Sequence, residues 1–192
     1  QTLGVALCGD EDAEALHAAL APVSPALGDP LPTATDARLA ASPRARTLAA
    51  WTAFFSAFCD ARLDGWLAER PGVGVHVVDF PPPLGALAEV APGPHGRRVA
   101  HRFESHVGGR ELANGYRELR DPDEQARRFD DVAALRAALA LPGLPRPDAF
   151  VQDLRAPGLP PCAGAALGLD RLVLVATGRA RLSDIALELG AL

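Results

Sequence analysis

The chain has 192 residues, 48% of them apolar and 22% charged, with a net charge of −5. It suits a single hydrophobic core and excludes wholesale disorder, while the acidic balance argues against a basic nucleic-acid-binding face. No apolar run reaches roughly eighteen residues, no secretory pattern opens the chain, and the scattered Cys8, Cys59 and Cys162 suit reduced cytoplasmic thiols rather than disulfides.

In chain order, Asp10 to Ala21 carries a short helical pattern with Leu16, Ala19 and Leu20 as its apolar stripe. Pro22, Pro25, Pro30 and Pro32 then interrupt regular structure, so residues 1–42 are expected to form a connecting arm. From Pro43 to Glu69, Leu48, Trp51, Phe54, Phe55 and Phe58 recur at helical spacing. Leu63, Trp66 and Leu67 continue that face past a bend, and the aromatic cluster reads as core packing in preference to a cofactor-stacking surface. Val73 to Phe80 is β-branched and apolar between Gly72 and Pro81, which predicts a buried strand ended by Pro81-Pro82-Pro83.

Val99–Val107 and Arg110–Leu119 read as two strands joined by Gly108-Gly109, a hairpin signal. Asp121-Pro122-Asp123-Glu124 opens a helix running to about Ala140, with Asp as cap, Pro first, and an acid three residues after the cap. A Pro-rich loop and a short helix, Asp148 to Arg155, follow. Gly164 to Leu169 is expected to be a strand feeding a helix from Asp170 to about Thr177, and Ser183 to cap a last helix. The sum is an α+β fold with an antiparallel sheet flanked by helices.

Composition singles out one segment. All 19 basic residues are Arg, Met is absent, and the only Asn and only Tyr, Asn114 and Tyr116, lie two residues apart. Around them Glu111 and Glu118 are seven apart, so an ideal strand sends them to opposite faces. A bulge near Asn114-Gly115 restores them to one face. Two carboxylates and an amide there suit Mg²⁺ shared with substrate phosphates, or a substrate ammonium, or simply a solvated edge strand.

The second cluster is Gly164 to Leu172, where small residues let a flat ligand approach backbone and Arg171 reaches a base or phosphate; tight helix–sheet packing explains it equally. His101 and His106, five apart without a Cys pair, do not support zinc. Arg97, Arg98 and Arg102 read as a solvated basic patch. Neither a serine-nucleophile elbow nor a phosphate-binding Gly loop occurs.

RFE at Arg102–Glu104, ELANGYREL at Glu111–Leu119, DPDEQARRF at Asp121–Phe129 and PCAGAALGLDRL at Pro161–Leu172 together resemble the lysyl-tRNA synthetase-like class II ligases. The likeness covers roughly residues 43–189, and its last run is similar to class II motif 3. Within that family it is nearest the short paralogues that attach (R)-β-lysine to a lysine of elongation factor P. They share the ELANG core, Cys162 before the motif 3 glycine, and Ala166 where true lysyl-tRNA synthetases carry Gly.

The resemblance implies ATP and Mg²⁺ as cofactors, lysine or β-lysine as substrate, and elongation factor P rather than tRNA as acceptor. It implies an ATP site of Glu111, Leu112, Asn114, Gly168 and Arg171, with metal contacts from Glu111 and Glu118. Glu118 would bind the substrate amino group, Ala166 would shape the amino-acid pocket, and Arg171 and Glu118 would be the catalytic pair. The chemistry implied is adenylation followed by acyl transfer, in a full-length homodimer without membrane association. A lysyl-tRNA synthetase fragment and a non-catalytic paralogue that binds nucleotide or a protein partner are the alternatives.

Departures are also legible. Pro81 to Ala86 replaces a Ser/Gln-bearing loop, Pro161 stands where the paralogues carry an acid, and Ile185 to Leu192 diverges. Neither motif 1 nor motif 2 is found. Residues 43–192 are therefore expected to be the C-terminal part of a catalytic domain, nearly inert alone, in keeping with a Met-free chain that opens on Gln1.

Overall fold

The structure is a computed structural model that describes residues 6–26, 39 and 42–185. Its centre is a five-stranded antiparallel sheet of β1 (Gly74–Phe80), β2 (Val90–Pro92), β3 (Arg98–Val107), β4 (Arg110–Arg117) and β5 (Ala163–Leu167). The order is β1-β3-β4-β5, with β2 pairing the start of β3. The helices are α1 (Ala13–Leu20), α2 (Pro43–Phe58), α3 (Asp64–Ala68), α4 (Pro122–Ala138), α5 (Asp148–Arg155) and α6 (Leu169–Thr177). The α+β expectation holds.

Local chemistry explains most of these elements. Gly108 and Gly109 both adopt positive φ, 55° and 78°, which is what a two-residue hairpin turn demands. Asp121 caps α4 by accepting from the Asp123 and Glu124 amides at 2.9 and 3.1 Å, with Pro122 in the first turn. Ser42 caps α2 ahead of Pro43, and Asp12 caps α1. The bend after α2 is a π-helical turn, Cys59–Leu63, in which the Asp64 amide donates to the Cys59 carbonyl. That wider turn rotates the apolar stripe. Leu67 is therefore buried, whereas Trp66 faces outward with the Arg70 guanidinium 3.8 Å above its ring.

Three apolar clusters join the layers. Leu16 and Leu20 of α1 pack on Trp51 and Phe54 of α2, and the Trp51 indole donates to the Glu11 carbonyl at 2.9 Å. Leu16 and Leu20, within the expected arm, are thus buried in the core; residues 27–38 and 40–41 lie outside the described residues. Leu39, Ala45 and Ala138 link α2 to α4. Phe80, Ala88 and Ala100, with Phe55, Val77, Val90 and Tyr116 around them, seat α2 on the sheet.

Two expectations need correcting, and one strand was not foreseen. β1 is an edge strand and not a buried one: Phe80 is buried, but Val78 remains 55% exposed because no described helix covers its outer face. β2 escaped the sequence reading because it is three residues long and contains Pro92, tolerated only at an edge. Ser183 sits inside a 3-10 turn, Leu182–Asp184, whose capping comes from Arg181: its amide donates to the Asp184 carboxylate. The rest of the expected last helix, 186–192, lies outside the described residues.

Candidate active site

β4 does contain a bulge, but at a different residue from the one expected. Ser105 pairs with Ala113 and His106 with Glu111, so Leu112 is the extra residue. Gly115 instead marks a close approach, buried between Phe103 of β3 and the Gly164 carbonyl of β5. The parity consequence is the same. With one residue inserted between them, Glu111 lies on the face that carries Asn114 and Tyr116, the face Glu118 also addresses.

One corner of that face gathers at the bulge. The Gly168 amide donates to the Leu112 carbonyl at 2.8 Å, fastening the β5–α6 junction to the extra residue. Arg171, in the first turn of α6, donates to the Glu111 carbonyl at 2.9 Å and lies 3.7 Å from the Glu111 carboxylate. Four of the residues expected at an ATP site, Glu111, Leu112, Gly168 and Arg171, therefore meet. The fifth, Asn114, is further along the face, in register with Ala166 on one side and Glu104 on the other.

The second corner lies just past the other end of β4. The Glu118 amide donates to the Cys162 carbonyl at 3.0 Å, and Glu118 bridges Ala88. Its Oε1 lies 3.1 Å from where a Cβ on Gly164 would stand, so the absent side chain leaves room for the carboxylate. Tyr116 is beside it. Burial, and then the Glu118 charge, push the Tyr116 phenol above its ordinary range, with Arg102 opposing.

The extended strand puts roughly 20 Å between the Glu111 and Glu118 backbones. The two expected metal contacts thus stand towards opposite ends of β4, Glu111 beside Arg171 and Glu118 beside Gly164. Among the described residues no group of three or more His, Cys, Asp or Glu is poised around a metal. Mg²⁺ needs less, taking one or two carboxylates plus substrate phosphates, and the half-exposed Glu111 beside Arg171 fits that demand.

Sequence reasoning missed the contribution of β3. Register places Arg102 opposite Tyr116, Glu104 opposite Asn114 and His106 opposite Glu111. Arg102 pairs with Glu104, donates to the Leu84 carbonyl at 3.2 Å and covers the Phe80 ring at 4.5 Å, so it is not on a solvated patch. The His106 Nε2 is 3.6 Å from the Glu104 carboxylate, and both its ring nitrogens are buried without a hydrogen bond. The missed signal was the period-two alternation of Arg102, Glu104 and His106. Nearby, burial and then the charges of Asp64, Glu104 and Asp60 push the Cys59 thiol up to about 11, which keeps it protonated and unreactive.

An adjoining cavity of about 1010 Å³ lies between α2, α4 and Pro82–Leu84, lined by Arg44, Glu89, Arg102, Glu124 and Arg128 among others, and shares Arg102 with the sheet face. Glu111, Asn114, Glu118 and Arg171 do not line it.

Comparison with known proteins bears on the family. The family described as tRNA synthetases class II (D, K and N) matches residues 56–187. The elongation factor P–(R)-β-lysine ligase of Photorhabdus laumondii is 47% identical over 117 residues, covering 61% of this chain and 34% of that protein. Its counterpart in Proteus mirabilis is 46% identical over 120 residues, 60% of this chain and 36% of that one. The Erwinia tasmaniensis ligase is 45% identical over 117 residues, again 61% and 34%. The chain thus spans about a third of the length of the curated relatives it matches. No described helix is long and apolar enough to cross a membrane. The antiparallel sheet, the strand of small residues running into an arginine-bearing helix, and a family match over more than half its length agree: the chain belongs to the class II tRNA synthetase (D, K and N) family.

Proposed function

We propose that this chain carries part of the active site of an ATP-dependent ligase that activates lysine or β-lysine and passes it to a lysine of elongation factor P. The observation that carries the reading is the division of one sheet face into two corners. Arg171 and Glu111 stand at one end of β4, and Glu118 with Tyr116 at the other. The relatives' names supply the lysine substrate class and the acceptor.

On this reading the Glu118 carboxylate takes the substrate ammonium, with Gly164 leaving space for it and Ala166 narrowing the path beside Asn114. Arg171 holds nucleotide, and its bond to the Glu111 carbonyl presets the guanidinium so that little reorganisation remains on binding. Mg²⁺, when bound, supplies charge neutralisation at the phosphates, and Glu111 is the residue that would hold it. The remaining work is orientation: the strand fixes the two ligands end to end, so that the carboxylate and the α-phosphate meet near Asn114. Such a ligase would work in the cytoplasm as a homodimer, with residues 43–192 as the C-terminal part of its catalytic domain. The 192 residues contain no recognisable motif 2, so turnover by this chain alone is expected to be negligible while binding persists.

The test is an NMR titration of the amides with lysine, (R)-β-lysine and Mg-ATP. Either amino acid should move Tyr116, Glu118 and Leu119, and Mg-ATP should move Glu111, Leu112, Gly168 and Arg171. Glu118→Gln should abolish the first set and leave the second intact. Shifts from both ligands at the same residues, or none at all, refute the assignment.

A further inference from the structure

The segment Pro81 to Ala88 carries no polar side chain, yet its carbonyls are held by two arginines. Arg102 donates to Leu84 at 3.2 Å. Arg128 of α4 uses a single nitrogen, Nη1, to reach Ala86 at 2.7 Å and Ala88 at 2.8 Å. Between those carbonyls the chain is forced: Ala86 has φ 46°, a left-handed conformation an alanine holds only when its surroundings over-determine it. Gly85 lies directly beneath, where a Cβ would meet the Pro82 carbonyl at 3.0 Å, Ala100 at 3.2 Å and Arg128 Nη1 at 3.3 Å.

What the segment holds in turn is the site. The Leu119 amide donates to the Leu87 carbonyl and the Glu89 amide to the Arg117 carbonyl, both at 2.8 Å. Residues 87–89 thereby form a short splint along Arg117, Glu118 and Leu119, with fully buried Ala88 opposite Glu118. Arg128 is itself fixed, its Nε donating to Glu124 at 3.0 Å, and Glu124 also accepts from Arg44 and Arg127. Burial opposes ionisation of Glu124, but its bonds to Arg128, Arg44 and Arg127 outweigh that and hold its carboxyl below the ordinary range.

We infer that Arg128 is a positioning residue for the substrate-ammonium carboxylate: through the carbonyls of Ala86 and Ala88 it sets the splint that aims Glu118. The inference rests on the reading of Glu118 given above. It accounts for how a loop of prolines, glycine and alanine serves a polar site, since the backbone does the holding and the cation comes from a helix behind it.

Two measurements on the 192-residue chain test it. Hydrogen exchange should show the Glu89 and Leu119 amides opening about tenfold or more faster in Arg128→Lys, the scale of one lost charge-assisted hydrogen bond, with the β3–β4 ladder unchanged. NMR titration should show lysine affinity falling about tenfold and Mg-ATP affinity holding within about twofold. Gly85→Ala, which intrudes on the splint with Arg128 present, should reproduce both effects. Arg127→Lys, a neighbour that also reaches Glu124, should produce neither. Unchanged exchange at both amides overturns the inference, as does an equal loss of lysine and Mg-ATP binding. Glu118→Gln keeps the two ideas apart: if that variant binds lysine as before, the reading of Glu118 fails, and the exchange rates alone decide whether Arg128 sets the splint.

Discussion

Gly115→Ala offers the sharpest test of how the candidate site is built. A Cβ at this position would lie 2.6 Å from Phe103 Cε1, 2.7 Å from the Gly164 carbonyl oxygen and 2.8 Å from Ala165 Cβ. The Phe103 ring can turn aside, but the Gly164 oxygen belongs to the backbone paired with β4, and moving it strains the ladder between Ala113–Arg117 and Ala163–Leu167. Overpacking costs about 1–3 kcal/mol, and three simultaneous intrusions with one on backbone place this case near 3 kcal/mol. For a chain of this size about 1 kcal/mol moves Tm by roughly 2–4 °C, so a fall of roughly 6–12 °C is expected. Urea unfolding followed by circular dichroism, with thermal melts alongside, gives both quantities. Gly65→Ala is the control: nothing lies within 4 Å of its Cβ, and it sits in helix α3, where Ala should stabilise by up to about 1 kcal/mol. A Gly115→Ala protein within about 0.5 kcal/mol of wild type would refute the claim that this glycine is required for strand approach.

Two further outcomes follow from the same geometry. Gly164→Ala should leave stability within about 0.5 kcal/mol, because its Cβ meets only the movable Glu118 Oε1 at 3.1 Å, yet it should weaken lysine binding; unchanged binding by calorimetry counts against Glu118 as the ammonium site. Glu124 has a folded-state pKa below its ordinary 4.5, so its contribution is complete above that value and is lost as pH falls through the folded pKa. The stability gap between wild type and Glu124→Gln should therefore be widest above about pH 5 and shrink towards pH 3, and a gap independent of pH in urea titrations contradicts the three-arginine arrangement.

What was legible in the sequence divides along a physical line. The Gly108-Gly109 turn, the Asp121-Pro122 helix start and the bounds of α5 follow from bonds within a few residues, and all three appear as expected. The exposure of β1 did not follow, because an apolar run such as Val73 to Phe80 does not say whether a neighbour covers it. The bulge shows the same limit more finely. Its existence could be argued from the seven-residue spacing of Glu111 and Glu118, but its seat at Leu112 rather than at Asn114-Gly115 is revealed only by the register with β3. Arg102, Glu104 and His106 alternate plainly in the sequence, yet their membership of the site depends on facing Tyr116, Asn114 and Glu111 across the ladder.

The bulge also explains why a single strand can serve two ligands. Without the extra residue, Glu111 would turn to the face of Ala113 and Gly115, away from Asn114 and Tyr116. Leu112 supplies the shift and, in the same stroke, offers its carbonyl to the Gly168 amide, so the residue that corrects the parity also anchors the helix bearing Arg171. At the opposite end the correction is not needed, because Tyr116 and Glu118 already alternate with Arg117, and the splint from Leu87 to Glu89 does the anchoring instead. Each end of β4 is thus fixed by a different device, one internal to the strand and one borrowed from a loop. On the proposed reading that separation matters chemically. The nucleotide end and the ammonium end can be perturbed one at a time, and a variant that weakens both equally must act on the ladder between them rather than on either anchor.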